Sequence, residues 1–165
     1  MRVLEIGCGA GRITRTLAGM FGEVHAVDVS GEMVARARSA LAGQHNAFLY
    51  QNNGCDLTVV PELEFDFAYS SIVFQHIPSR PVIESYVREV HRLLRPDALF
   101  KFQVQGIQGN HRAFDTWLGA SFSEWQAREM ADRTGFECRY TYGANTQYSW
   151  LWFFKTPEHK PQNDR

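Results

Sequence analysis

Hydrophobic and polar positions along this chain fall into two alternating rhythms. Short runs that are mostly apolar alternate with longer stretches whose apolar residues recur every three to four positions. The first rhythm predicts buried strands and the second predicts amphipathic helices. Val3-Leu4-Glu5-Ile6 reads as a first strand that breaks at Gly7-Cys8-Gly9-Ala10-Gly11. A helix is expected from Arg12 to Phe21, with Ile13, Leu17, Met20 and Phe21 on one face. Glu23 to Asp28 is the second strand. Ser30 is the N-cap candidate of a second helix over Gly31 to Leu41, and Gly43 supplies its stop. Ala47 to Gln51 and Phe65 to Ser70 read as the third and fourth strands.

The second half continues the alternation. Ser79-Arg80-Pro81 opens a helix whose stripe runs through Val82, Ile83, Tyr86, Val87, Val90, Leu93 and Leu94. Arg88, His91, Arg92 and Arg95 are expected on its solvated side. A turn is expected at Pro96-Asp97-Ala98, and the fifth strand from Leu99 to Gln105. The stretch 106–121 is long for a connector, and with His111, Phe114 and Trp117 it is expected to shape a pocket. Ser121-x-x-Glu124 reads as a capping box for a helix ending at Gly135. Strands over Phe136–Gly143 and Tyr148–Lys155 follow, with Tyr148, Trp150 and Trp152 alternating onto one packing face. Asn145, Thr146, Gln147 and Tyr148 at the turn between them either face a ligand, with Gln103 and Gln105, or form an ordinary polar turn. The pattern predicts one α/β domain over residues 1–155 and a polar, flexible tail over 156–165.

Candidate chemistry sits at the first break. Strand, glycine turn and helix in succession let a small ligand approach backbone without a Cβ in the way. A dinucleotide fingerprint reads G-x-G-x-x-G. Here the third glycine arrives one residue early, at Gly11, and Arg12 stands where the fingerprint has glycine. Asp28 ends the second strand 21 residues after Gly7, close to the roughly 20-residue interval that places an acid on a ribose. A carboxylate accepts from both hydroxyls of a ribose at once.

VLEIGCGAGRITRTLA followed by VHAVDVSGEMVARAR resembles motifs I and II of the class I S-adenosylmethionine-dependent methyltransferases. The likeness continues through EFDFAYSSIVFQHIP and VREVHRLLRPDALFKF. It implies a doubly wound, Rossmann-like, three-layer αβα fold. The sheet would have seven strands in the order 3-2-1-4-5-7-6, the last antiparallel. It implies S-adenosylmethionine as cofactor and S-adenosylhomocysteine as product. The turn of Glu5, Gly7, Cys8, Gly9 and Gly11 would cradle the methionine and ribose region, with Asp28 on the ribose. Val29 would pack on the adenine, and Asn53 beside Gly54 would read its amino group in place of the family's usual acid. Asp56 is a second candidate there, against the reading of a solvated loop carboxylate. The Ser70 backbone would meet the methionine amino group. His76 would lie at the transfer site, either as a base for the acceptor or as a loop residue held by hydrogen bonds. The family also has helices ahead of motif I. Met1 enters the first strand directly, so those cap helices are expected to be missing.

Composition narrows the partners. A net charge of −1 argues against binding nucleic acid chiefly through charge. No apolar run approaches the roughly 18 residues of a membrane span, and no signal peptide is expected, since the first residues already read as a core strand. Cys8, Cys55 and Cys138 have no metal-ligand spacing, so no metal is expected and a reducing, cytoplasmic setting is. The expected activity is methyl transfer to a small or medium-sized acceptor. The alternatives are a cofactor-binding sensor or partner subunit without catalysis, and a nicotinamide oxidoreductase, which Arg12 disfavours. The oligomeric state is left open.

Overall fold

The structure, a computed structural model, describes residues 1–108 and 118–157. Seven strands form one sheet: β1 (Arg2–Ile6), β2 (Glu23–Asp28), β3 (Ala47–Gln51), β4 (Phe65–Ser70), β5 (Leu94–Val104), β6 (Phe136–Tyr142) and β7 (Ser149–Lys155). Their order is β3-β2-β1-β4-β5-β7-β6, as the resemblance implied. Strands β1 to β5 pair in parallel, and β7 runs antiparallel between β5 and β6.

Alternation along the strands builds a core on each face. Leu4, Ile6, Phe100, Phe102 and Phe153 point toward α3 (Arg80–Leu93) and α4 (Glu124–Arg133), where they meet Ile83, Val87 and Met130. Val3, Val24 and Ala26 point the other way and pack with Leu17 and Ala18 of α1 (Arg12–Ala18). Helix α2 (Gly31–Ala40) lies beside α1, since Ala37 and Leu41 stand against Gly11 at the head of α1. The chain leaves β1 for β2 on one side and later enters β4 on the other. That reversal opens a crevice at the carboxyl ends of β1 and β4, the place where open α/β sheets bind ligands.

Three local expectations are corrected. Helix α1 stops at Ala18 with Gly19 as C-cap, so Met20 is 72% exposed instead of lying on the apolar face. The Met1 carbonyl accepts from Gly22 N and Glu23 N and pulls the chain directly into β2. Strand β5 begins at Leu94, not Leu99: Leu94 pairs with Phe65 and Leu99 with Phe67, so the expected turn is a bulge within the strand, with Asp97 at φ 62°. The capping box of α4 is Ser123 with Gln126, not Ser121 with Glu124. Ser121 is held extended by a bridge to Gln105, so the helix starts two residues later. His111, Phe114 and Trp117 lie outside the described residues, as does the tail from 158 onward.

Candidate cofactor site

A cleft of about 640 Å³ opens at the carboxyl ends of β1 and β2 and under the loop that follows β4. Its size falls in the range of roughly 300–1,000 Å³ common for small-molecule sites. Of the residues expected at a ligand, the cleft brings together Gly7, Gly9, Asp28, Val29, Gly54 and His76. Ile72 and Val73 of the loop after β4 join them, and so do Asn52, Val82 and Tyr86, which were not anticipated.

The glycine turn is tied to the end of β2 because Gly7 N and Cys8 N both donate to the Val27 carbonyl, at 2.8 and 3.0 Å. Asp28 is fixed by backbone on both oxygens: Oδ2 accepts from Gly9 N at 2.8 Å and Oδ1 from Ser30 N at 2.9 Å. Each oxygen keeps a lone pair for a further donor. The two glycines serve opposite purposes. A Cβ on Gly9 would meet nothing within 4 Å, so that backbone is open to a ligand. A Cβ on Gly7 would sit 2.1 Å from Val73 Cγ2, so the loop after β4 closes onto the turn only because Gly7 has no side chain. Both have positive φ, 78° at Gly7 and 52° at Gly9, which favours glycine in any case.

The other expected residues stand behind or beside the cleft. Glu5 lies beneath the turn with 2% exposure and an Oε2 that has no partner. Burial pushes its carboxyl up to about 7, and the Thr14 hydroxyl and Arg12 guanidinium oppose the shift only partly. Thr14 Oγ1 is itself buried without a well-formed hydrogen bond. Cys8 is buried, and desolvation, followed by the Glu5 and Asp28 charges, pushes its thiol up to about 12. Gly11 is the left-handed N-cap of α1. Ser70 Oγ donates to the Ile6 carbonyl at 2.9 Å and ties β4 to β1. Asn53 faces its own loop: its Oδ1 accepts from Cys55 N and Asp56 N, and its Nδ2 donates to Asp56 Oδ2. Asp56 is held below its ordinary value by Asn53 and Thr58, as a loop carboxylate. The neighbours Asn52 and Gly54 line the cleft instead, and Asn52 Nδ2 donates to the Tyr86 hydroxyl at 2.6 Å. A tyrosine within an otherwise aliphatic helix stripe was the available signal, because a buried hydroxyl needs a partner.

Opposite the glycine turn, the loop after β4 contains Ile72 at φ 59°, an unfavourable angle for a β-branched residue. Ile72 N donates to Gln103 Oε1 at 3.2 Å. Gln103 Nε2 donates to Gln75 Oε1, and Gln75 Nε2 stands 3.2 Å from His76 Nε2. Gln75 and Gln103 are each 1% exposed. The turn carrying Asn145, Thr146 and Gln147 sits at the end of β5, where Gly106 N donates to the Thr146 carbonyl at 2.9 Å, and it lines none of the cleft. Arg88, Arg92 and Arg95 are paired with Glu84, Glu89 and Asp66. His91 packs edge-on against Phe136. Among the described residues no group of histidine, cysteine and acidic side chains has the arrangement of a metal site, and no helix is long and apolar enough to cross a membrane.

Comparison with known proteins gives a family and a fold. Residues 3–97 match the family model described as a methyltransferase domain. A malonyl-[acyl-carrier protein] O-methyltransferase of Enterobacter lignolyticus is 33% identical over 101 residues, 61% of this chain and 38% of that protein. The chain spans half or less of the length of three such enzymes that it matches, at 38%, 50% and 47%. Among solved structures, a methyltransferase of Methanosarcina mazei superposes with a TM-score of 0.77 at 19% identity, covering 95% of this chain and 93% of that one. DhpI in complex with S-adenosylhomocysteine superposes with a TM-score of 0.71 at 23% identity, covering 94% of this chain and 77% of that one. At these identities the structural likenesses establish the fold.

Proposed function

The chain belongs to the methyltransferase domain family, and from that premise we propose that it binds S-adenosylmethionine in the cleft and directs its methyl group to a small or medium-sized acceptor, leaving S-adenosylhomocysteine. The observation that carries this reading is Asp28. Its two oxygens are aimed by backbone N–H groups from both flanking turns, and each retains a lone pair, the arrangement a ribose diol requires. Exposed Val29 offers an apolar wall beside it for the adenine, with Asn52 and Gly54 at that end in place of Asn53. The open backbone at Gly9 receives the part of the ligand that crosses the turn. Glu5, Cys8 and Gly11 support the turn from behind, and Ser70 holds β4 in register with β1 at the methionine end.

Bound S-adenosylmethionine supplies a methyl carbon that is already electrophilic. The protein's work is then alignment: the loop after β4 and the head of α3 wall the acceptor side and hold the two reactants in line. Likeness to O-methyltransferases makes oxygen the proposed accepting atom. His76 is the titratable side chain proposed to meet the acceptor there. All three cysteines are free thiols in the fold, which favours a reducing compartment such as the cytoplasm.

Calorimetric titration with S-adenosylmethionine and with S-adenosylhomocysteine tests the reading. One-site binding is expected for both. Asp28→Ala should weaken it by about 1.5–3 kcal/mol, the scale of charge-assisted hydrogen bonds. Unchanged affinity in that variant would remove Asp28 from the site.

A further inference from the structure

The loop after β4 is wired to β5 by a chain of hydrogen bonds whose direction can be worked out. Its first donor is the Ile72 backbone N–H, which cannot act as an acceptor. Gln103 must therefore present its Oε1 to Ile72, which leaves its Nε2 to donate. The next atom along is thereby an acceptor, Gln75 Oε1, and Gln75 presents its Nε2 to His76. An amide nitrogen donates only, so His76 Nε2 accepts. In the neutral ring the single N–H then resides on Nδ1. Gln75 and Gln103 are both sealed from solvent, so water is poorly placed to substitute for a link or reverse one.

We propose that Gln103 and Gln75 are positioning residues that set the tautomer of the neutral His76 ring at the edge of the cleft, with Nε2 accepting from Gln75 and the ring proton on Nδ1. This deepens the methyl-transfer reading and rests on it for its consequence. Held this way, Nε2 is engaged as an acceptor by Gln75 and is not the atom that takes a proton from an acceptor substrate. The relay also explains how Ile72 persists in the left-handed region. Gln103 from β5 secures its N–H, and Val73 beside it is seated over Gly7.

The test is heteronuclear NMR of protein labelled with ¹⁵N in its histidine rings, above about pH 8 where an ordinary imidazole is neutral. The His76 signals are assigned by their disappearance in His76→Gln. The two-bond ¹⁵N–¹H correlation pattern separates the tautomers. The wild type should show the Nδ1–H pattern. Gln75→Glu replaces the donor with an acceptor of the same shape and should switch His76 to a ring protonated on Nε2. Gln103→Met leaves Gln75 free to turn over and should give a mixture of tautomers. An Nε2–H ring in the wild type, or a pattern that no folded variant alters, overturns the proposal. If one variant fails to fold, the other still reports on the relay, because each predicts its own pattern. The measurement needs neither cofactor nor acceptor, so its failure is distinguishable from a failure of the cofactor titration.

Discussion

Glu5 lies under the glycine turn with almost no exposure, and its carboxyl is pushed from 4.5 up to about 7 by burial. Between those two values the folded protein holds a proton that the unfolded chain has released. Stability therefore falls as pH rises through that window and levels off above it. Glu5→Gln removes the charge and keeps the shape of the side chain. The variant should be more stable than the parent at about pH 8, by at most about 3 kcal/mol, and nearly equal to it at about pH 4. Urea unfolding at the two pH values measures both differences. A constant gap would assign the effect to packing instead of ionisation. Asp28, in the next strand, contrasts with Glu5: its oxygens are matched by two backbone donors, so its carboxylate is held toward the cleft.

At the scale of elements, helix starts and strand ends set the geometry of the site. Helix α4 begins at Ser123, whose Oγ accepts from Gln126 N at 3.2 Å while Gln126 Oε1 accepts from Ser123 N at 3.0 Å. Ser123→Ala should cost about 1 kcal/mol of stability, the usual loss for a capping serine. Ser121→Ala, at the other capping pattern in the sequence, should cost less, because Ser121 contributes backbone and not a cap. Equal losses by chemical denaturation would return the cap to Ser121. The two patterns are equivalent along the chain. The bridge to Gln105 at the end of β5 decides between them, and no local signal encodes it. Strand β5 shows the same dependence: its early start at Leu94 follows from pairing with Phe65 on β4.

At the scale of the molecule, the cleft is assembled from the ends of several elements, which include β1, β2 and α3. A ligand there ties these parts together and stabilises the whole fold. S-Adenosylmethionine at about a hundredfold its Kd should add about 2.7 kcal/mol, seen as a rise in melting temperature. NADH at the same concentration should leave the melt unchanged, because Arg12 occupies the position of the third glycine in a dinucleotide fingerprint. A shift with NADH alone would favour the oxidoreductase reading.

The sequence by itself determined the order of strands and helices, the glycine turn and the placement of Asp28. Each is a local property: burial period, turn chemistry, or spacing within one strand–helix–strand unit. The strand order came from the family likeness of those same segments, and the sheet has it. Tertiary structure alone decided the rest of the site. Asn52 meets Tyr86 across 34 residues, Ile72 meets Gln103 across 31, and Gln75 meets Gln103 across 28. A periodic pattern reports that a position is buried but not which polar group waits beside it. Asn53 turns into its own loop because the backbone N–H groups of Cys55 and Asp56 lie within reach of its side chain. Asn52, one residue earlier, faces the cleft because its amide is drawn to a tyrosine hydroxyl on a distant helix.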